Sequence, residues 1–417
     1  MYESEAASSS AQLYVGRQPI FTPDRKVFGY EMLFRNSNAN AAEIDNPEQA
    51  TATVLRNTFV EFGLDQLVGD KFVFVNVSRK FLLEWQDMLF PTPRIVIEVL
   101  EDVQADEEVL ASLESFRRRG YTIALDDVDG SYDRVELLKI ADIIKVDLRL
   151  HESADDLAAT VRRLRGYPGR LLAEKVETQE EFERCRDLGF DLFQGYFFSV
   201  PAVLSSRSLP ENKATVLRLL SKLYEPDVGP ADIDEVLRTD PHLSFKLLRC
   251  VNSAYFGLSV QVKSIQHAVV YLGINTIRNW VNLLMLSSFS DKPDELYRLA
   301  LTRARMCELL KERLDPALRE SAFTVGLFSV LDAIFDMEMK DVLAKVSLST
   351  ELQAALTNRA GQLGQLLHLV CAYERADLFY LMHSGISIGK LSSIYLEASG
   401  WAQEVFSSQL ASAAQGA

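Results

Sequence analysis

The sequence lacks the features of a membrane-spanning or exported protein. No apolar run approaches the length of about 18 residues that a transmembrane helix requires. The best candidate, residues 280–289, is interrupted by Asn282 and by serines. The first ten residues contain Glu3 and Glu5 but no basic stretch followed by an apolar run, which is unlike a secretory signal. We therefore expect no membrane span and no such signal.

Cysteine and histidine are scarce. The cysteines are Cys185, Cys250, Cys307 and Cys371, and no two of them form a CxxC pair. This distribution is typical of reduced thiols in a cytoplasmic protein and does not suit a disulfide framework or a zinc site. None of the five histidines is followed by aspartate, so the sequence has no HD dyad to bind a metal.

An excess of basic residues is also absent. Lysine and arginine number 44 against 59 aspartates and glutamates, which gives a net charge of −15. Such a surface repels phosphate backbones, so we expect no binding to DNA or RNA polymers, and any nucleotide ligand should be small. A Walker motif, a dinucleotide-binding glycine fingerprint, a GxSxG elbow and an HExxH helix are missing too, which excludes the common rival enzyme classes.

Two patterns divide the 417 residues. Residues 13–200 alternate short apolar runs with longer amphipathic stretches, which predicts repeated βα units around a parallel sheet. Most of these runs are apolar on both faces, so the predicted fold is a TIM-like β/α barrel. The predicted strands are VFGYEMLF, FVFVNVS, RIVIEVLE, TIALDDV, ADIIKVD, RLLAEKVE and DLFQGY.

The stretch 201–212 is rich in serine and proline and predicts a linker. Beyond it the apolar period changes from two to about 3.6, which predicts an all-helical domain over residues 213–405. The small and polar ends, residues 1–12 and 406–417, are predicted to be a disordered tail and a C-terminal tail. The fold class is therefore α/β followed by all-α.

Almost every predicted strand of the first half carries a polar residue near its C-terminal end. Taken alone, each is typical of a solvated rim residue or of one half of an ion pair. Together they predict one site, because the C-terminal ends of barrel strands converge on one mouth. These residues are Glu31, Asn76, Glu98, Asp126, Asp127, Lys145, Glu174 and Gln194.

The residue types indicate the chemistry of this site. Glu31, Asn76, Glu98 and Asp126 offer oxygen ligands only, which favours Mg²⁺ or Mn²⁺. Asp126 and Asp127 can share a site if the strand ends and turns there, as in paired metal sites that hydrolyse phosphodiesters. Glu98 has apolar neighbours on its face of the strand, so we expect a cation beside it.

In type and order these residues resemble the EAL family of cyclic di-GMP phosphodiesterases, over about residues 13–200. The signature that names the family corresponds to Glu31-Met32-Leu33, and Arg35 follows two positions after Leu33. The resemblance implies a cyclic di-GMP ligand, with Glu31 binding a metal ion and Arg35 contacting a phosphate.

The resemblance also implies roles for the polar residues of the other strands. Asn76, Glu98 and Asp126 correspond to ligands of a first metal ion, and Asp127 corresponds to a ligand of a second. Lys145 corresponds to the residue that orients or deprotonates the attacking water.

Three further site residues follow from the same comparison. Glu174 corresponds to a further acidic ligand or support, Gln194 to a polar residue of the site, and Glu101 to the glutamate that anchors the loop after the Asp pair. That loop reads DDVDGS at residues 126–131, where the family usually has DDFGTG. In the family the loop couples metal occupancy to dimerisation, so a homodimer is a possible assembly.

The second half resembles an HDOD module over about residues 205–400. The matching segments are TDPHLSFKLLRCVNSAYFG (239–257) and SIQHAVVYLG (264–273). HDOD modules resemble HD phosphohydrolases that lost their metal site, and the resemblance implies a protein partner. The Asn252-Ser253 pair suits either a contact with that partner or a helix C-cap and turn.

Three functional hypotheses fit these observations. In the first, the protein is an enzyme that opens cyclic di-GMP to linear pGpG with two divalent ions and Lys145. In the second, it is a sensor that binds cyclic di-GMP without hydrolysis and signals through the HDOD module, which the altered loop favours. In the third, it is a scaffold with an empty barrel, which leaves the buried acids unexplained.

Overall fold

The computed structural model describes residues 13–36, 68–84, 94–128, 134–199, 211–225, 227–238, 241–252, 256, 258, 260–286, 289 and 292–406. The predicted N-terminal tail, most of the predicted linker and nearly all of the predicted C-terminal tail fall outside these ranges. Within them, no helix combines the length and apolar character needed to cross a bilayer.

Strands close into one barrel in sequence order, so the predicted barrel is confirmed. Short runs of valine, isoleucine, leucine and phenylalanine form these strands, and most of their residues are buried. The strands are β1 (Leu13–Phe21), β2 (Val27–Asn36), β3 (Phe72–Val77), β4 (Ile95–Val99), β5 (Thr122–Leu125), β6 (Ile143–Asp147), β7 (Arg170–Glu174) and β8 (Leu192–Gln194).

Strand β1 was not among the predicted strands, and it departs from a purely parallel barrel. It runs antiparallel to both β2 and β8, whereas the neighbours from β2 to β8 pair in parallel. A tight turn joins β1 to β2, in which Thr22 and Lys26 share a main-chain hydrogen bond and Arg25 has φ 60°. Two strands joined by so short a turn must be antiparallel.

Helices follow the strands of the barrel, and several have side-chain caps at their N-termini. Asp106 and Ser153 each accept a hydrogen bond from a main-chain N–H in the first turn of their helix, and Thr178 forms a capping box with Glu181. The described helices here are α1 (Arg79–Glu84), α2 (Glu107–Arg118), α3 (Val135–Ile140), α4 (Ala154–Leu164) and α5 (Gln179–Asp187).

An apolar layer fills the barrel interior. Each contributing side chain points inward from a different strand, so the residue two positions along the same strand also points inward. On the parallel strands that second residue lies closer to the C-terminal mouth. The buried layer consists of Ile20, Phe74, Val96, Ala124, Ile143, Leu172 and Leu192.

The chain divides into two compact units, and the barrel unit contains residues 1–197 together with residues 372–396. The pairing of β8 with β1 is short and involves Ile20 and Phe21 of β1. Residues of the C-terminal segment contact β1 further along this edge, and we call this contact the seam. Further along β1, the Tyr373 hydroxyl donates to the Val15 carbonyl at 2.6 Å, and the Val15 N–H donates to Ser392 Oγ at 3.4 Å. The segment thus supplies hydrogen-bond partners for main-chain groups at the edge of β1.

The second unit comprises residues 198–371 and 397–417, and its described elements are all helical, as predicted. After residue 210 the described α-helices are α6 (Glu211–Leu223), α7 (Pro230–Arg238), α8 (Pro241–Val251), α9 (Ile265–Leu272), α10 (Ile274–Leu286), α11 (Asp294–Leu309), α12 (Ala322–Phe328), α13 (Leu331–Phe335), α14 (Met339–Leu343), α15 (Thr350–Asn358), α16 (Gly361–Glu374), α17 (Leu378–Met382) and α18 (Ile388–Val405). Helix α17 and parts of α16 and α18 belong to the barrel unit.

Close backbone packing and paired polar groups hold the second unit. A Cβ at Gly326 would approach the main chain of Ala304 to 2.6 Å, so glycine lets helices α11 and α12 meet. The fully buried Asn282 donates to the Tyr224 hydroxyl at 2.8 Å, which satisfies its amide nitrogen inside the core.

The seam generates a stability prediction. Tyr373→Phe removes the donor to the buried Val15 carbonyl and should lower the free energy of unfolding of the barrel unit by about 1–3 kcal/mol. Thermal and urea unfolding of the full chain measures the change. Tyr167→Phe is the matched control, because the Tyr167 hydroxyl has no hydrogen bond to the described residues. Equal losses in the two variants would contradict a specific role of the seam.

Candidate active site

Six of the eight predicted polar residues converge on the barrel mouth because each lies two positions beyond a residue of the apolar layer. Asn76 follows Phe74, and Glu98 follows Val96, on neighbouring strands in register. The same spacing places four more polar residues above the layer: Asp126, Lys145, Glu174 and Gln194. Glu31 reaches the mouth from β2, where the Asn76 side-chain amide donates to it at 2.9 Å.

Lys145 is the centre of the site and is 1% exposed. Its ammonium lies 2.8 Å from Asp126, 2.8 Å from Glu174 and 3.5 Å from Glu31, and it also pairs with Glu98. This is the cation that the sequence predicted beside Glu98. One positive charge faces four carboxylates here, so the group carries excess negative charge in a buried place.

Burial and mutual repulsion shift the titration of this group. Burial raises the pKa of Glu98 well above its usual range, with further repulsion from Glu31. Burial raises the pKa of Glu174 to about 8, against the opposing attraction of Lys145. For Lys145, burial acts to lower the pKa, but the surrounding carboxylates, Glu174 first, outweigh burial and raise it. The lysine therefore stays charged, and the raised pKa values of Glu98 and Glu174 favour the protonated form of these two carboxyls.

Four buried oxygen atoms of the site have no hydrogen-bond donor among the described residues. They are Asn76 Oδ1, Glu98 Oε2, Glu174 Oε2 and Gln194 Oε1. Unpaired buried acceptors are costly, and a cation surrounded by oxygen atoms would satisfy them. The donor set contains no sulfur or imidazole, which suits a hard divalent ion such as Mg²⁺ or Mn²⁺.

The acidic residues fall into two groups whose oxygen atoms are close enough to share an ion. Glu31, Glu98 and Glu174 form the first, buried group. Glu101, Asp126 and Asp127 form the second, more exposed group, which we call the outer acidic group. Asp127 has φ 44°, so the backbone turns after β5, as the sharing of a site by consecutive aspartates requires.

Gln18 is a residue of the mouth that the sequence analysis missed. The Gln194 side-chain amide donates to Gln18 Oε1 at 3.0 Å and to Glu31 Oε2 at 2.6 Å. Gln18 lies two positions before the apolar-layer residue Ile20, on the strand that runs in the opposite direction. The same two-residue rule would have identified Gln18 had β1 been recognised as antiparallel.

Two predicted features of the site fall partly outside the described residues. The backbone of Arg35 belongs to β2 and pairs with Tyr14, but its side chain is outside the described part of the chain. The altered loop is described only through Val128, whose N–H donates to the Lys145 carbonyl at 2.9 Å. The predicted roles of Arg35 and of the loop remain predictions.

In the helical half, the Asn252 side chain forms main-chain hydrogen bonds that are typical of a residue in a turn. Its side-chain amide donates to the carbonyls of Leu248 and Val262, at 2.8 Å each, and its Oδ1 accepts from the Val262 N–H at 2.7 Å. These bonds close the end of helix α8 and agree with the helix-cap interpretation of this position. Ser253 lies outside the described residues.

Comparison with known proteins identifies both halves. Residues 4–201 match the EAL domain family, and residues 209–363 match the HDOD domain family. The cyclic di-GMP phosphodiesterase CdgJ of Vibrio cholerae serotype O1 is 34% identical over 401 residues, which cover 94% of this chain and 93% of CdgJ. The protein YuxH of Bacillus subtilis is 30% identical over 402 residues, with 94% and 98% covered.

Among solved structures, the PaMucR phosphodiesterase in complex with c-di-GMP matches with 23% identity and a TM-score of 0.39, covering 44% of this chain and 94% of that one. The domain matches and the two full-length relatives establish an EAL barrel domain joined to a helical HDOD domain. This chain belongs to the family of EAL–HDOD proteins, as its sequence motifs predicted.

The raised pKa of Glu174 predicts a pH dependence of stability. Burial raises the pKa of Glu174 to about 8 in the folded state, whereas its pKa in the unfolded state is the ordinary value of 4.5. Metal-free protein should therefore lose stability as pH rises between these values, and Glu174→Gln should reduce the slope. Thermal unfolding in EDTA measures both slopes. The same slope in both proteins would show that Glu174 titrates normally.

The same protons predict a signature of metal binding. Addition of Mn²⁺ near pH 7 should release protons, because a divalent ion beside the Glu98 and Glu174 carboxyls favours their ionised form. Calorimetry in two buffers of different ionisation enthalpy counts the released protons.

Glu98→Gln should lower Mn²⁺ affinity at least about tenfold, whereas Glu114→Gln, on the exposed face of α2, should leave the Mn²⁺ affinity unchanged. Unchanged affinity in Glu98→Gln would exclude Glu98 as a ligand.

Proposed function

We propose that this chain is a metal-dependent cyclic di-GMP phosphodiesterase that hydrolyses its substrate to linear pGpG. The observation that carries the proposal is the buried group of carboxylates around Lys145, with four buried oxygen atoms that have no hydrogen-bond donor in the described part of the chain. The name of the relative CdgJ, whose sequence aligns with 94% of this chain, supports the choice of substrate. The predicted cytoplasmic location is compatible with an intracellular nucleotide signal.

The resemblance implies which residues would hold divalent ions. Glu31, Asn76, Glu98 and Asp126 would bind a first ion, and Asp127 would bind a second, with Glu101 beside it. In support, Asn76 is hydrogen-bonded to Glu31, and the carboxylates of Asp126, Asp127 and Glu101 lie close together. When bound, such ions polarise a phosphoryl oxygen and lower the pKa of a bound water. The family comparison and the oxygen-only donor set favour Mg²⁺ or Mn²⁺.

Lys145 would act as a fixed cation. Its pKa is raised by the carboxylates, so it holds its proton and is suited to orient the attacking water and to stabilise negative charge. This supports orientation over proton abstraction, the two roles that the sequence left open. Glu174, at 2.8 Å, would hold the ammonium in place. Because a preorganised charge needs no rearrangement during the reaction, its contribution falls on the transition state.

Arg35 and Gln194 would contact the substrate. A guanidinium pairs well with a phosphate through two hydrogen bonds, and Arg35 lies on the same strand as Glu31. Gln194 already links the side chains of Glu31 and Gln18 at the mouth. Gly195 follows with φ 150°, and a side chain there would overlap the main chain of Val176, so glycine is required behind Gln194.

The alternative is a sensor that binds cyclic di-GMP without hydrolysis. The specific observation in its favour is the loop after Asp127, whose sequence departs from the family pattern. In either case the HDOD module would pass the state of the barrel to a protein partner, and a homodimer would be a natural assembly. Hydrolysis is favoured because every predicted metal-binding residue is present.

One assay separates the two functions. Wild type loaded with Mn²⁺ should convert cyclic di-GMP to pGpG, and Lys145→Ala should lower kcat at least about 100-fold while binding of cyclic di-GMP largely persists. Chromatography measures the product, and calorimetry with Ca²⁺ measures binding. Lys139→Ala, which removes an exposed lysine paired with Glu136, is the control. Wild type that binds cyclic di-GMP but leaves it intact for hours would establish the sensor.

A further inference from the structure

Arg134 contacts the C-terminal ends of two barrel strands through two nitrogen atoms of its guanidinium. It lies directly before helix α3, and its guanidinium donates from Nη1 to the Asp126 carbonyl at 2.8 Å. From Nη2 it donates to the Leu100 carbonyl at 2.9 Å and to the Val99 carbonyl at 3.4 Å. Arg134 therefore bridges the segments that follow β4 and β5.

Two of these carbonyls belong to the peptide bonds that precede Glu101 and Asp127 of the outer acidic group. The Leu100 carbonyl is part of the bond to Glu101, and the Asp126 carbonyl is part of the bond to Asp127. Regular pairing of β4 with β5 ends at Val99 and Leu125, and one further main-chain bond joins the segments, from the Asp126 N–H to the Val99 carbonyl at 3.0 Å. The guanidinium extends this connection by one residue, because it links the Leu100 carbonyl to the Asp126 carbonyl.

The backbone at Asp127 increases the need for such a contact. Its φ of 44° lies in the left-handed region, which costs free energy for a residue with a side chain. Such a conformation persists when neighbouring hydrogen bonds determine it. Arg134 fixes the peptide before Asp127, and the bond from the Val128 N–H to the Lys145 carbonyl fixes the peptide after it.

We propose that Arg134 is a positioning residue, which sets the distance and orientation of Glu101 and Asp127 for a divalent ion. The inference rests on the proposed function, because it assumes that the outer acidic group holds an ion. Its three hydrogen bonds to main-chain carbonyls use none of the carboxylate oxygens. Arginine suits this role better than lysine, because its planar fork reaches two carbonyls in a fixed geometry.

The test uses Arg134→Ala and Arg134→Lys in the full chain. Both should lower Mn²⁺ affinity, by about 10–100-fold for alanine, as is usual when a residue that orients metal ligands is removed. At subsaturating Mn²⁺, kcat should fall more than KM for cyclic di-GMP changes. Millimolar guanidinium should restore part of the metal affinity of Arg134→Ala, which a general loss of stability would not allow.

Arg94→Ala is the matched control. Arg94 also donates to a main-chain carbonyl, that of Gly69 at 2.6 Å, but it precedes β4 and so lies at the opposite end of the barrel. This variant should lose stability without loss of Mn²⁺ affinity. If Arg134→Ala fails to fold, Arg134→Lys and its metal titration decide the question.

The outcomes separate this inference from the proposed function. Wild-type Mn²⁺ affinity in both Arg134 variants would overturn the inference and leave the phosphodiesterase intact. Reduced Mn²⁺ affinity in a protein that never hydrolyses cyclic di-GMP would support the inference and refute the enzyme. A wild type that binds no Mn²⁺ would refute both.

Discussion

The ion pairs of Lys145 are the interaction on which the site depends. A lysine that is 1% exposed keeps its charge only because carboxylates from four other strands or strand ends surround it. The carboxylates in turn need more positive charge than one lysine provides. In the metal-free protein, the raised pKa values of Glu98 and Glu174 favour protons on these carboxyls, which reduces the excess of negative charge. The site therefore has more buried negative charge than its one lysine can balance, and this excess favours the binding of a further cation.

The barrel makes this arrangement possible through a simple repeat along its strands. An apolar residue fills the interior, and the residue two positions further on enters the mouth, so Val96 is followed by Glu98 and Ile143 by Lys145. The apolar layer below excludes water from one side of the charges, which strengthens their mutual interactions. Fold and site are thus set by the same two-residue alternation, and a register shift of one residue would destroy both.

The sequence predicted the barrel, the helical second half and the convergence of the polar residues, because each follows from periodicity within a short segment. It did not reveal β1, whose antiparallel direction depends on a tight turn, nor Gln18, which that direction brings to the mouth. It also gave no indication that residues 372–396 form the seam with β1. The bond between Tyr373 and Val15 joins positions far apart in sequence, and no local pattern carries that information.

The conformation around Asp127 and the charge around Lys145 link metal binding to the stability of the barrel. Both are unfavourable in the metal-free protein: one places a residue with a side chain in the left-handed region, and the other raises the pKa of the buried Glu98 and Glu174 carboxyls above its usual range and so favours their protonated form. A divalent ion would displace those protons and stabilise the ionised carboxylates, so it would bind the folded chain in preference to the unfolded one. Proton binding, metal binding and the position of the strand ends held by Arg134 are then thermodynamically linked. Any signal that moves the C-terminal ends of β4 and β5 must therefore also change the affinity for the ion.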